Sequence, residues 1–591
     1  MVLETEPLPF GQWLPEALNT WLQVVGLLAL AALLLAFFIA AVRNGPVRAL
    51  EITLSGLGAA LGDLLRISPR RVIALARLSI KEAIHRRVLV AFGVFILVLL
   101  FAGWFLDTAS DEPARLYLSF VLTTTSYLAL LLGLFVSVFS LPSDIQNRTI
   151  YTVVTKPVRS SELVLGRMLG FGAVGTAMLA VTGVVSYFFV VRGLDHTHTI
   201  VASRMTPISA EEDGGFRGQT ELASNHRHQV FVDANGVGRT DTEQGHYHGV
   251  RQEGDRFVVT PPIGMLVARV PIYGKLAFRD RTGSPIAKGV NVGEEWTYRS
   301  YIEGGTLATA VWGFENLSAE QLAGGLPIEM TIRVFRTHKG DIEKGILGSL
   351  VLRNPQTGKA SAARNFIAKE FTTDVHHIPA RLSDADGNPL DLYRDLVADG
   401  RLQVELQCLQ PGQYFGMAQP DVYIRASDAS FTQNFIKGYL GMWLQMMLVT
   451  AAGVMFSTFL NGAVAMLATL AGVIAGFFIP FLQQISTGTF LGGGPVESLY
   501  RIVSRMNVTV PLEPGPGTTF INMCDQAFRF VLGKVLAIVP DFAGLSNVDY
   551  VAYGFDIPAD LLWTHVVKGI AYLVPIFVAG FLFFRTREVA R

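Results

Sequence analysis

Apolar residues gather along this chain in seven runs long enough to cross a bilayer as helices, at about 21–42, 88–106, 116–141, 168–191, 439–460, 463–482 and 566–584. A hydrocarbon core about 30 Å thick needs roughly 20 residues of helix, because no backbone N–H or C=O can stay unpaired there. The first run has no basic residue on its N-terminal side, which sets it apart from a cleavable signal peptide. A further apolar stretch, 523–539, carries Asp525, Arg529 and Lys534 and is expected to lie as an amphipathic helix at the interface.

Lys and Arg in the short connections orient the spans. Segment 43–87 holds nine, segment 142–167 holds Arg148, Lys156, Arg159 and Arg167, and the tail 585–591 holds Arg585, Arg587 and Arg591. These segments are expected on the cytoplasmic side. Segments 1–20 and 107–115 hold only Arg115 against six acidic residues and are expected outside. The polar stretch 192–430 and the segment 485–560 then both fall on the extracytoplasmic side of an inner-membrane protein.

Two cytoplasmic segments carry more than charge. Ser68 is placed to cap a helix with Pro69 at its first position. Along that helix Val72, Ile73, Leu75, Ala76, Ile80, Ala83 and Ile84 share one face, while Arg70, Arg71, Arg77, Lys81 and His85 share the other. This is the pattern of an elbow lying against the inner leaflet, or of an ordinary solvated juxtamembrane helix. In 141–170, Ser143 and Gln146 form a capping box, with Asp144 near the positive end of a short helix. Pro157 breaks the path, and Ser160 or Ser161 with Glu162 restarts a helix into the next span. A capped helix held under the membrane suits force transmission, and equally suits a passive connection.

On these residues the sequence resembles the type-2 permeases of ATP-binding-cassette transporters. The matching positions are Asp144, Arg148-Thr149 (where the family has Gly-Thr), Lys156-Pro157, Arg159 and Leu165-Gly166-Arg167. The resemblance covers roughly 69–191 and 435–585. It implies coupling to a separate ATPase subunit through Asp144, Arg148, Thr149, Ile150, Tyr151, Lys156, Pro157 and Arg159. It also implies a dimer with a second permease copy or a homologous permease, and ATP bound in the partner subunit only.

Between the fourth and fifth runs the period changes from helical to two. Ile328, Met330, Ile332 and Val334 alternate with Glu329, Thr331 and Arg333, and Leu402, Val404, Leu406 and Cys408 alternate with Gln403, Glu405 and Gln407. Each strand should have one buried and one wet face. A β-sandwich or jelly roll over about 255–427 is the expectation, with Cys408 a buried thiol. Ahead of it lie His226 and His228, then His246 and His248, with a third pair at His196 and His198. If the chain folds back about Val237, His226 faces His248 and His228 faces His246, a set suited to Zn²⁺, Cu²⁺ or Ni²⁺. Asp233, Asn235 and Asp241 are an alternative set for Ca²⁺, or the residues that shape a turn at Asn235-Gly236.

Composition agrees with the pattern. Of 591 residues 50% are hydrophobic and 16% charged, mean hydropathy is +0.40, and 48 basic residues balance 48 acidic ones. That excludes a soluble cytosolic enzyme and leaves no net attraction for nucleic acid. No GxxxxGK[ST] loop, hydrolase triad or HExxH motif stands in the chain. The expected organisation is an extra helix and linker (1–67), a first permease core (68–191), an extracytoplasmic β-rich domain (192–430) and a second permease core (431–591). The reading is a membrane permease subunit, an exporter or assembly component that is not itself an enzyme and contacts membrane lipids. A membrane-anchored sensor or binding module is the alternative.

Overall fold

The computed structural model describes residues 8–85, 112–148, 157–208, 214–254, 256–292, 298–322, 324–337, 344–369, 373–489, 492–508 and 510–587, with positions 90, 92–94, 96, 97 and 110 between them. Most of the expected second span lies outside the described residues. Among the described residues five helices are long and apolar enough to cross a membrane, six if one bent pair counts as a span. They make this a membrane-embedded protein.

The helices of the N-terminal half are α1 (Phe10–Asn44), α2 (Pro46–Leu65), α3 (Pro69–His85), α4 (Pro113–Val138), α5 (Ser140–Gln146) and α6 (Ser160–Leu194). The longer helices of the C-terminal half are α7 (Phe431–Ser457), α8 (Gly462–Phe477), α9 (Ile479–Thr487), α10 (Pro495–Ser504), α11 (Pro516–Leu536) and α12 (Ala559–Thr586), with a short helix at Val548–Ala552 before the last. α8 and α9 form the bent pair, turning by 58° at Phe478, just before Pro480. α11 covers most of the expected amphipathic segment, and its Asp525 is buried because its carboxylate accepts from Val496 N and Glu497 N at the start of α10. α2 occupies what reads in sequence as linker: Gly45, at φ +80°, ends α1, and Pro46 opens the new helix at its first position.

α3 begins at Pro69 as expected and buries Val72, Leu75, Ser79 and Ala83, whereas Ile73 and Ile84, expected on the same face, are exposed. Glycine decides the contact. A Cβ on Gly166 would stand 2.5 Å from Leu75 Cβ, and one on Gly170 would stand 2.6 Å from Ala76 O, so α6 meets α3 backbone to backbone at a small-xxx-small stripe. Glu162, fully buried, closes the joint by accepting from Arg71 Nε and Nη2 at 2.7 Å each and from Ser68 N at 2.8 Å.

Two caps differ from expectation. α5 starts at Ser140 straight after the turn at Phe139, which places Ser143 inside the helix and moves Asp144 off its N-terminus. The chain leaves α4 already in helical geometry and needs no side-chain cap. α6 is capped through Arg159, whose backbone N donates to Glu162 Oε2 at 3.1 Å, so Glu162 does its expected work one residue from the expected cap. After α5, Arg148 adopts φ +60° and is exposed, at the position where the resembled family has Gly. A left-handed non-glycine residue costs about 1–2 kcal/mol. Arg148→Gly should therefore raise the unfolding temperature of the detergent-solubilised protein, and a lowered one would show that the guanidinium holds this turn.

The chain divides into two compact units, one of Val267–Phe431 with Gly554–Asp556 and one containing the helices and Leu8–Leu266. The first is β-rich, and the strand pairs described in its sheets are antiparallel. A six-stranded sheet runs Arg364–Ala368, Ile346–Arg353, Leu402–Cys408, Thr309–Phe314, Lys275–Arg279, Pro285–Ile286. A four-stranded sheet runs Asp374–Ile378, Leu326–Met330, Val422–Asp428, Arg269–Tyr273, and a three-stranded one Ser300–Glu303, Gln413–Met417, Arg333–Arg336. Their apolar faces share one core around Trp312, Phe314, Met330, Val404, Leu406 and Phe415. Cys408 is buried there as a free thiol, pushed up to about 11 by burial.

The alternation expected in two strands breaks at its acidic positions. Glu329 is fully buried, bound by Arg425 Nη1 at 2.8 Å, Arg269 Nε at 2.9 Å and the Tyr423 hydroxyl. Glu405 is buried under Arg353 and Arg279, at 2.9 and 3.1 Å. Arginine stems cover faces that period alone assigns to water.

Candidate metal centre

Six antiparallel strands follow α6: β1 (Thr206–Ile208), β2 (Gly215–Gln219), β3 (Gln229–Val232), β4 (Val237–Thr240), β5 (Gly249–Glu253) and β6 (Arg256–Val259), paired in sequence order. They belong to the helical unit rather than to the larger β-rich one. The chain repeats here with a period of 20. Thr220, Thr240 and Thr260 head successive turns, and His226 and His228 recur as His246 and His248. Thr220 Oγ1 accepts from His228 N and Thr240 Oγ1 from His248 N, each at 2.9 Å. Ser224 and Gln244 share φ values of 47° and 48°.

The histidines sit at strand ends, not on the strands of one hairpin, because the chain turns back twice. β3 pairs with β4 around Asp233–Gly236, and β4 then pairs with β5. Asp233 shapes the first turn by accepting from Asn235 N and Val237 N, which holds its carboxyl below the usual range. Asp241 accepts from Gln229 N. Asp233 thus shapes the turn at Asn235-Gly236, and Asp241 ties the end of β4 to the start of β3.

All three His-x-His pairs converge. The linker leaving α6 brings His196 and His198 to the four from the repeats. Five of them, all but His228, have a ring nitrogen within 4.8 Å of one another, and His228 Nε2 lies 3.3 Å from His246 Nε2. Other Nε2–Nε2 separations are 3.2 Å for His198–His226, 3.2 Å for His226–His246 and 3.1 Å for His196–His246. Each ring meets its neighbours edge to face with centroids 4.8–5.2 Å apart. Each also has one partner it does not touch: His196 and His228, His198 and His246, His226 and His248. That is the connectivity of an octahedron with three opposite pairs. The two facing pairs expected across one hairpin are not equivalent here: His228 and His246 are neighbours at 3.3 Å, whereas His226 and His248 lie at opposite ends of one axis.

Every Nδ1 is taken by a backbone carbonyl. His196, His226 and His246 reach the carbonyl two residues back, of Leu194, Ser224 and Gln244, at 3.0, 3.0 and 3.4 Å. His198, His228 and His248 reach Glu221 O, Asp241 O and Thr260 O at 3.1, 3.1 and 2.8 Å. A neutral imidazole has one N–H, and a carbonyl can only accept, so the proton is on Nδ1 and the Nε2 lone pair points inward. Burial pushes His246 down to about 3 and His198 and His248 to about 4, and lowers His196 and His228 as well. Those five rings are therefore neutral at physiological pH. His248 Nε2 is buried without a hydrogen-bond partner.

The dimensions fit a six-coordinate ion. A regular octahedron has its centre at edge/√2 from each vertex, so the four Nε2–Nε2 edges of 3.1–3.3 Å correspond to about 2.2–2.3 Å from centre to nitrogen. That exceeds the roughly 2.0–2.1 Å of a four-coordinate zinc–imidazole bond. The carbonyl bond at each Nδ1 is the outer support that fixes ring orientation at metal centres. Reading the chain for hairpins left His196 and His198 out of the cluster; their His-x-His spacing, shared with the other two pairs, was the signal available.

The residues expected to couple to a partner lie elsewhere. Thr149, Ile150, Tyr151 and Lys156 are outside the described residues. Asp144 pairs with Arg167, whose guanidinium also bonds Ser140 and stands 3.3 Å from Glu82, so α5, α6 and α3 are pinned at one buried arginine. Arg159 bonds Arg66 O and lies 3.7 Å from Asp63, tying the start of α6 to the end of α2. Arg148 and Pro157 are exposed. Arg167 was not among the site residues expected, although its place in the Leu-Gly-Arg motif was legible.

No family model matches the sequence, and no curated protein or solved structure matches it either.

Proposed function

We propose that this membrane protein binds one divalent first-row transition ion through His196, His198, His226, His228, His246 and His248, on the extracytoplasmic side that the basic residues assign. The convergence of six carbonyl-anchored imidazoles on one point carries this reading. Six nitrogens suit Mn²⁺, Fe²⁺, Co²⁺, Ni²⁺ or Zn²⁺ and give no purchase to Ca²⁺ or Mg²⁺, which take oxygen. A hexacoordinate ion has no open position at which to activate water, so the role is binding or sensing rather than hydrolysis. The protein is then a membrane-anchored metal-binding module.

A second reading is favoured by the Arg167 joint: a permease subunit of an ATP-binding-cassette transporter, seven spans with an inserted β-sandwich-like domain, driven by a separate ATPase at α5. The joint makes α5 part of a packed inner unit, which is what force transmission needs. The two readings are compatible in one chain.

Full-length protein purified in mild detergent and loaded with Co²⁺ should retain one ion per chain by elemental analysis. Its ligand-field bands should be the weak ones of six-coordinate cobalt. Failure to retain Co²⁺, or the intense bands of a tetrahedral site, would overturn the metal reading.

A further inference from the structure

Resting on that reading, we infer that the ion is a clasp on which the fold of β1–β6 depends, so that metal supply outside the membrane sets whether the outer end of α6 is held or free.

The first argument is the meagre apolar core. The buried hydrophobic cluster of this sheet consists of Met205, Val230, Val232 and Val250, with Ile200, Phe216 and Phe257 packed against it. Modules with so little apolar burial ordinarily need a metal or disulfides, and both cysteines of the chain are free and lie elsewhere. The middle of the fold is filled by histidines instead: His198, His226, His228, His246 and His248 are all buried.

The second is the electrostatics of the rings. Each has spent its one N–H on a carbonyl, so Nε2 atoms at 3.1–3.3 Å set lone pair against lone pair. Close packing of this kind is repulsive until a cation turns six lone pairs into six bonds. The metal's binding energy is then folding energy, as in other small metal-held modules.

The third is where the ligands come from. Two of the three opposite pairs join linker to sheet, His196 across from His228 and His198 across from His246. The repeats alone keep His226, His228, His246 and His248, a set open on the side where the linker enters. His196 and His198 lie two and four residues beyond the last residue of α6. Closing the ion's shell therefore draws the end of a 35-residue helix onto the sheet. At the other end of that helix stand Glu162 and Arg167, in their joints with α3 and α5. Occupancy at one end of α6 thus bears on the tether of a helix whose far end is built into the inner unit.

The test is hydrogen exchange on full-length protein in nanodiscs, loaded with Co²⁺ or stripped with a chelator, alongside the double variant His196→Ala/His198→Ala. Stripping should speed exchange in 215–253 by at least about tenfold and loosen 190–198, while 402–408 in the β-rich unit stays unchanged. The double variant should lose its ion or bind it at least about tenfold more weakly, and exchange fast even with Co²⁺ present. If Co²⁺ binds one per chain and 215–253 exchanges equally with and without it, the clasp is wrong and the metal site stands. If the double variant binds Co²⁺ and orders the sheet like the wild type, the linker is no part of the clasp and the inference fails. If no ion is retained at all, the metal reading fails and takes the clasp with it. Should the double variant not reach the membrane, the wild-type pair of measurements decides alone.

Discussion

Glu329→Ala should cost the β-rich unit about 3–5 kcal/mol, the range for breaking a buried ion pair from one side. Glu329 is fully buried in the strand Leu326–Met330, and its two oxygens hold Arg425, Arg269 and the hydroxyl of Tyr423. Truncation leaves two guanidinium groups on neighbouring strands facing each other without the anion between them. Arg425 keeps Asp428, which accepts from its Nε at 2.8 Å, so part of that charge stays compensated. The hydroxyl of Tyr423 donates to Glu329, and its loss of that acceptor adds to the cost. Glu329→Gln keeps the shape and one acceptor and should cost distinctly less. Hydrogen exchange within 326–330 and 402–408 reads the effect directly. Equal protection in wild type and Glu329→Ala would mean that the apolar core around Trp312 and Phe415 holds the sheets without the ion cluster.

Glu329 also shows what a period-two pattern conveys and what it does not. Alternation placed Ile328, Met330, Leu402, Val404, Leu406 and Cys408 inside, and all are buried. It placed Glu329 and Glu405 in water, and both are covered, because the cover comes from arginines on strands far away in sequence. Long-range pairing leaves no local trace. The apolar runs were legible because the bilayer imposes their length on each one separately, whereas α2 shows only the modest apolarity of a helix that need not span. Ser143 read as a cap because capping residues announce themselves locally, yet the helix had begun three residues earlier, carried over from α4.

The histidine cluster was half legible for a related reason. Two residues apart on one chain is a pattern that any reading notices, and the three His-x-His pairs were visible at once. Their convergence depends on a meander of short strands whose register follows from the repeat Thr220, Thr240, Thr260, not from the histidines. Each repeat presents a pair of rings at its end, and the linker from α6 supplies the third pair in the same pose, its first ring also bonded to the carbonyl two residues back.

Arg167 carries the other large expectation. Its side chain is 5% exposed, and its guanidinium joins Asp144 and Ser140 on α5 to Glu82 on α3. It is also the last residue of the Leu165-Gly166-Arg167 motif, whose glycine lets α3 approach α6 closely enough for the reach. Arg167→Ala leaves two carboxylates on adjoining helices without their shared cation, and should destabilise this joint by about 3–5 kcal/mol. Lysine is no substitute, since one ammonium cannot span the fork that serves three partners. Arg167→Lys should therefore recover only part of the loss, and Arg167→Met, which removes the charge but keeps most of the volume, should resemble Ala in exchange at 140–146. On the permease reading the consequence is sharper. α5 in wild type moves with α3 and α6, whereas in Arg167→Ala it can be displaced alone, so an ATPase bound at α5 would hydrolyse ATP without moving the spans. The measurement is exchange at 140–146 together with ATPase rate and partner co-purification, for wild type and the three variants inserted normally in the membrane. Protection lost at 140–146 with partner binding retained and the response of ATPase rate abolished is the expected result. If 140–146 stays as protected in Arg167→Ala as in wild type, the buried arginine is not what pins α5, and the structural support for a coupling element goes with it.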